Sequence, residues 1–122
     1  MAEEKLVLKP GVVFQHFTNF EPSKDGLSFL FTTLSLPNKN VDGALPKTLA
    51  DEIKELYYIN FNKNNITDPQ PIQACKNLLT LDLGFNKIKN VTIFNNPENF
   101  MSLQYLDLSN NKLSEFPSLV LP

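Results

Sequence analysis

Leu103-Gln104-Tyr105-Leu106-Asp107-Leu108-Ser109-Asn110-Asn111-Lys112-Leu113 is the stretch on which the reading of this chain turns. Its first, fourth, sixth and eleventh positions are apolar, and its ninth is asparagine. The same template fits Leu56-Tyr57-Tyr58-Ile59-Asn60-Phe61-Asn62-Lys63-Asn64-Asn65-Ile66. It fits again at Leu78-Leu79-Thr80-Leu81-Asp82-Leu83-Gly84-Phe85-Asn86-Lys87-Ile88. Three matches within 122 residues define an internal repeat.

Elementary geometry explains the spacing. Positions four and six differ by two, so on a short strand they share a face. Ile59 with Phe61, Leu81 with Leu83, and Leu106 with Leu108 therefore point into one core. The ninth residue turns the chain off the strand, where backbone donors and acceptors lack ladder partners. Asparagine carries both a donor and an acceptor on a short side chain. Stacked Asn64, Asn86 and Asn111 are thus expected to bridge the loops of neighbouring repeats as a structural Asn ladder.

On these residues the chain resembles the leucine-rich repeat family, over roughly residues 31–122. The resemblance implies an α/β fold: a leucine-rich repeat solenoid with a short parallel sheet on its concave face and short helices or turns on the convex side. It implies about four repeats over 31–122, preceded by an amino-terminal cap over 1–30 that covers the open end of the first repeat. A thinner likeness is to X-ray radiation resistance-associated proteins. It rests on Tyr58-Ile59-Asn60, Leu81-Asp82-Leu83 with Phe85-Asn86 and Ile88-Lys89, and the long unit leading to Leu106-Asp107-Leu108-Ser109, and it adds no known chemistry.

Outside the three clear copies the pattern is looser. Lys5 to Leu8 and Val12 to Phe14, either side of Pro10-Gly11, read as two short strands around a turn. Phe14, Phe17 and Phe20 recur every third residue with His16 among them, and Glu21 to Gly26 reads as a turn. A degenerate repeat begins at Phe31, with Phe31, Leu34 and Leu36 in the first, fourth and sixth places. Lys39 then falls in the ninth place, and one inserted residue would bring Asn40 into the ladder. Pro46 to Glu55 reads as a short amphipathic helix with Leu49, Ile53 and Leu56 on one face. Asn64 to Asn86 is 22 residues, which leaves room for a turn or two of helix near Ile72 to Asn77. Cys75 is expected there as a small buried hydrophobe. Asn86 to Asn111 is 25 residues, and the surplus reads as a polar bulge over Phe94 to Asn99. Apolar spacing continues through Phe116 and Leu119, and the chain stops at Leu121-Pro122 without a polar cap. An uncapped carboxyl end implies either a fragment of a longer solenoid or association through that last repeat.

Composition narrows the function. Formal charge is −2, from 11 basic and 13 acidic residues, and every basic residue is lysine. Without arginine, the bidentate fork for phosphate and guanine is missing, and no basic run replaces it, so no nucleic-acid partner is expected. No run of about 18 apolar residues points to a membrane span. Met1-Ala2-Glu3-Glu4-Lys5 lacks the apolar stretch of a secretory signal, and a single cysteine forms no internal disulfide, so a cytoplasmic setting is expected, with nuclear, ciliary or cytoskeletal ones open. One His, one Cys and four Gly hold no phosphate loop and no metal-spaced set, so no enzyme, cofactor or metal is expected.

The resemblance implies a non-catalytic scaffold that binds a protein partner through the concave face or the open carboxyl end. Outward residues of the stacked strands then form columns: Thr33, Tyr58, Thr80, Tyr105; Ser35, Asn60, Asp82, Asp107; and Pro37, Asn62, Gly84, Ser109. Like charges at Asp82 and Asp107, one strand spacing apart, cost stability unless a cation or a basic partner lies across them. Tyrosines are amphipathic anchors of the sort enriched at binding hot spots. The candidate protein-binding residues are Tyr58, Asn60, Asp82, Phe85, Tyr105 and Asp107, with Phe85 at the rim beside Lys63. The alternative is a structural component of a larger cytoskeletal or ciliary assembly, docked by its edges.

Overall fold

The computed structural model describes residues 4–23 and 25–113. Among the described residues seven strands and one short helix follow in the order β1 (Phe17–Pro22), β2 (Phe29–Ser35), β3 (Asp42–Ala44), α1 (Leu49–Ile53), β4 (Tyr58–Asn60), β5 (Asn65–Asp68), β6 (Thr80–Asp82) and β7 (Tyr105–Asp107). Single 3-10 turns occupy Val13–His16, Gln70–Ala74 and Thr92–Phe94. The main sheet has the order β1-β2-β4-β6-β7; β2, β4, β6 and β7 run parallel, and β1 is antiparallel to β2. A second, two-stranded parallel sheet pairs β3 with β5. Nothing in the repeat template announces it.

Each repeat uses its apolar positions as the period-two argument requires. Leu34, Ile59 and Leu81 in the fourth place are fully buried, as are Leu36, Phe61 and Leu83 in the sixth. Val41, Ile66 and Ile88 in the eleventh place join them, together with Leu56, Leu78 and Leu103 in the first. Behind the sheet, Leu49 and Ile53 of α1, Ile72 and Cys75, and then Ile93, Phe94 and Phe100 close the core. Leu106, Leu108 and Leu113 are partly buried against it. The expected uncapped carboxyl end turns on residues 114–122, which lie outside the described residues.

The ninth-position amides bond in one repeated pattern. Asn86 accepts from the Ile66 N–H at 3.0 Å and donates to the carbonyls of Phe61 and Leu83, both at 3.0 Å, and of Gly84 at 3.2 Å. Asn64 accepts from the Val41 N–H at 2.9 Å and donates to Leu36 and Phe61, each at 2.9 Å. Asn111 accepts from the Ile88 N–H at 2.9 Å and donates to Leu83 at 2.8 Å and Leu108 at 3.0 Å. Every one of these side chains therefore ties its own loop to the strand end and loop of the preceding repeat.

That pattern corrects three expectations about the amino-terminal third. No residue is inserted after Lys39: Val41 N–H reaches Asn64 in the place that Ile66 and Ile88 take one and two repeats later, and the side chain of Asn40 accepts from that of Asn65 instead. A ninth-position amide serves the repeat before it, and β2 is preceded by an antiparallel strand, so Lys39 leaves no rung missing. Phe31 is not a core residue in the first place of a repeat; it is 38% exposed while Thr32 is buried. In the other copies a turn feeds the strand just before the third position. Here β2 already runs from Phe29, and its pleat places Phe31 with Thr33 and Ser35 on the outer face. The segment 5–14 does not form two strands around a turn: residues 4–9 hold no regular element, Pro10 to Val12 turn, and Val13 opens a 3-10 turn. The strand of this region is β1.

Two further elements differ from the pattern read in the chain. The helix expected over Pro46 to Glu55 is confined to Leu49–Ile53, with hydrogen-bonded turns on Pro46 and Lys47 before it. Phe94 does not belong to a polar bulge, because it is buried and stacks on Phe100 with ring centroids 5.3 Å apart. Asn95 to Glu98 alone form the exposed part.

Replacing Asn86 by leucine strands the Ile66 N–H, at a cost of about 1–3 kcal/mol, and leaves the Phe61, Leu83 and Gly84 carbonyls with only their bonds from Asn64, Asn111 and Lys63. Asn90→Asp keeps the acceptor that serves Thr92 in an exposed turn and is expected to be close to neutral. Thermal unfolding of the two variants checks the difference.

Candidate functional site

The outer face of the main sheet is built column by column from the register. Thr33 pairs with Tyr58, Tyr58 with Thr80, and Thr80 with Tyr105. Ser35, Asn60, Asp82 and Asp107 align in the same way two residues on. Tyr58 and Tyr105 are exposed. Tyr58, Asn60, Asp82 and Tyr105 line a shallow depression of about 280 Å³ with Thr33, Ser35 and Thr80. Four of the six candidate binding residues therefore come together, and register sets Asp107 beside Asp82. Phe85 stands apart, at the end of the strand where the loop begins, with the Lys63 ammonium 5.9 Å from its ring centroid.

Both carboxylates hold hydrogen-bond donors of their own chain. Asp82 Oδ1 accepts from the Gly84 N–H at 2.9 Å and from the Asn62 side-chain amide at 3.1 Å. Asp107 Oδ1 accepts from the Ser109 N–H at 2.8 Å and from its hydroxyl at 2.6 Å. Asn60 accepts from the Asn62 N–H at 2.8 Å in the same way. The fifth residue of each copy thus caps the N–H of the seventh, a local bond that competes well for Asp and Asn side chains. Gly84 lies between the two carboxylates: a Cβ there would meet Asp82 Oδ1 and Asp107 Oδ1, each at 3.2 Å, and Asn62 Nδ2 at 3.0 Å. A side chain at that place would crowd the column.

Sequence reasoning missed the aromatic extension of this face. Phe20 pairs with Phe31 across β1 and β2, their rings 4.5 Å apart, and Phe17 touches Phe31 at 5.8 Å and Phe14 at 5.2 Å. Phe20 is 66% exposed. The recurrence of Phe14, Phe17 and Phe20 was the available signal, but their meeting with Phe31 depends on the antiparallel pairing. His16 ends the adjoining 3-10 turn. Among the described residues no group of three or more His, Cys, Asp or Glu side chains is arranged to hold a metal ion, and no helix is long and apolar enough to cross a membrane.

A mixed α/β chain with parallel strands at a 22- to 25-residue repeat, tied by ninth-position asparagines, defines a class. Family models described as leucine-rich repeat match residues 74–91 and 102–121, which supports a leucine-rich repeat family for this chain. No curated protein matches the chain. Leucine-rich repeat domains generally mediate protein–protein interaction and are typically non-catalytic.

Burial disfavours the nucleophilic thiolate form of Cys75. It pushes the thiol up to about 12, against a small opposing pull from Lys76, and Sγ lies 3.2 Å from the Ile53 carbonyl. Because the raised value favours the neutral thiol, the folded chain is expected to resist iodoacetamide up to about pH 9 and to react once unfolded. Mass spectrometry of the alkylated chain with and without urea checks this.

Proposed function

We propose that the protein is a non-catalytic interaction scaffold, a leucine-rich repeat solenoid whose concave face is the outer face of the β1-β2-β4-β6-β7 sheet and receives a protein partner. One observation carries this reading. Two exposed tyrosines, Tyr58 and Tyr105, stand one either side of Thr80 in a single column above the depression that Asn60 and Asp82 line. Their rings offer apolar area with a hydroxyl at the tip, and the carboxylates of Asp82 and Asp107 keep acceptor capacity beyond the bonds they already make. The partner expected here is a protein segment with hydrogen-bond donors. The intracellular setting belongs to the same proposal; the single buried thiol supports it.

The alternative of a structural component docked by its edges has one feature in its favour. β1 is an edge of the main sheet, and its exposed Phe20 packs on the exposed Phe31 of β2, with the exposed Phe14 of the adjoining 3-10 turn joined to them through Phe17. An exposed edge strand with aromatic side chains is a template for pairing with another chain.

Tyr58→Ala with Tyr105→Ala is expected to weaken capture of the native partner while leaving the melting temperature within a few degrees. Asp82→Asn with Asp107→Asn keeps the local caps, removes both charges, and is expected to weaken capture most at low salt. Quantitative affinity capture with each folded variant is the test. Undiminished capture by both moves the interface off this face, and loss on Phe20→Ser with Phe31→Ser instead supports edge docking.

A further inference from the structure

The loops that leave the strands stack along one flank of the sheet. Asn38 N–H donates to Asn62 O at 2.9 Å, Lys63 N–H to Gly84 O at 3.0 Å, and Phe85 N–H to Ser109 O at 2.9 Å. Two residues further on, Asn65 N–H donates to Val41 O at 2.8 Å, Lys87 N–H to Ile66 O at 2.9 Å and Lys112 N–H to Ile88 O at 3.0 Å. Successive loops are thus held at strand spacing, roughly 5 Å per repeat. Lys39, Lys63, Lys87 and Lys112, all exposed, fall on this flank, one from each repeat. In sequence they are 24, 24 and 25 residues apart, so no basic run betrays them. The neighbouring carboxylate, Asp42, is engaged by Lys5 at 2.8 Å; that hydrogen bond, then the charge of Lys5 and more weakly that of Lys87, holds it below the usual carboxylate range. Among the described residues the four lysines make no ion pair.

A second observation concerns Phe85. The eighth position of every repeat takes the left-handed conformation: Asn38 at φ 55°, Lys63 at 59°, Phe85 at 56° and Asn110 at 57°. Asparagine adopts it readily, whereas a bulky aromatic residue does so at a cost. Phe85 is also 50% exposed, so core packing does not return that cost. Strain of this kind, kept where a better residue already serves two sister positions, marks a side chain retained for contact.

We propose that this flank binds an acidic, extended segment of a protein partner, with its carboxylates on the lysine row and one apolar side chain against Phe85. An extended chain presents same-face side chains roughly 7 Å apart, within the sweep of lysines spaced by strands. Lysine ammonium groups serve as point charges for carboxylates without the planar fork of arginine. One isolated aromatic anchor fits a single apolar side chain, where single-stranded nucleic acid wants a series of stacking platforms. This surface is separate from the tyrosine face, and either stands without the other.

The test uses the full chain and a labelled synthetic peptide of roughly ten glutamates with one central leucine, longer than the row it must span. Fluorescence anisotropy is expected to show binding that weakens as salt rises. Lys63→Gln with Lys87→Gln and Lys112→Gln is expected to lower affinity roughly tenfold or more. Phe85→Asn is expected to lower it several-fold while raising the melting temperature, since asparagine takes the turn without strain. Replacing the peptide's leucine by glutamate should remove the effect of Phe85→Asn, and Tyr58→Ala with Tyr105→Ala should leave peptide affinity unchanged. The proposal is overturned if the peptide does not bind at low salt, or if the lysine variant binds it like the parent chain. It is also overturned if the tyrosine variant loses it, or if an oligothymidine of equal length binds more tightly and displaces it.

Discussion

Three ninth-position side-chain amides, two of them buried, set the geometry on which the rest of this protein depends. A strand of three residues cannot hold its neighbours in register by its own ladder, because too few backbone groups meet. The ninth-position asparagine makes up the deficit. Asn86 joins the Ile66 N–H to carbonyls of both its own strand end and the preceding one. A buried polar group left without partners is expensive, so a network in which each member is satisfied specifies one arrangement and penalises slippage. Fixing the loops fixes the strands, and fixing the strands decides which side chain of every repeat faces water.

From that constraint two surfaces of opposite character follow. The outer face carries tyrosines and carboxylates that accept from the N–H two residues along. The loop flank carries lysines and a strained phenylalanine. Neither needs a concave pocket with convergent catalytic groups, and the only thiol is held neutral in the core. The proposed binding of protein segments rests on these two surfaces.

The sequence carried much of this and failed in intelligible places. Columns such as Thr33, Tyr58, Thr80 and Tyr105 were legible because period two and the repeat length leave a single register. The Asn rungs were legible because one residue type supplies donor and acceptor at a loop. The amino-terminal third was not: Phe31 looks like a first-position core residue until an antiparallel partner extends its strand backwards. Asn40 looked like a displaced rung because the template does not say that each rung serves the repeat before it. Phe94 looked polar by association with its asparagines, although it packs against Phe100 from across the turn. The lysine row has a readable period, but its four members occupy the eighth, ninth and tenth places of their repeats, so a strict column misses them. The β3–β5 pair had no signal beyond β-branched Val41 and Ile66.

Native-state hydrogen exchange of the amides bonded to the asparagine side chains tests the ladder most directly. Val41, Ile66 and Ile88 donate to Asn64, Asn86 and Asn111, outside the ladder of the main sheet. If the ladder sets the geometry, these three amides open only with the whole molecule, at the free energy of global unfolding. The Glu98 amide, bonded to Asn96 in the exposed turn, exchanges much faster. Exchange of Val41, Ile66 and Ile88 at the rate of Glu98 would contradict the account.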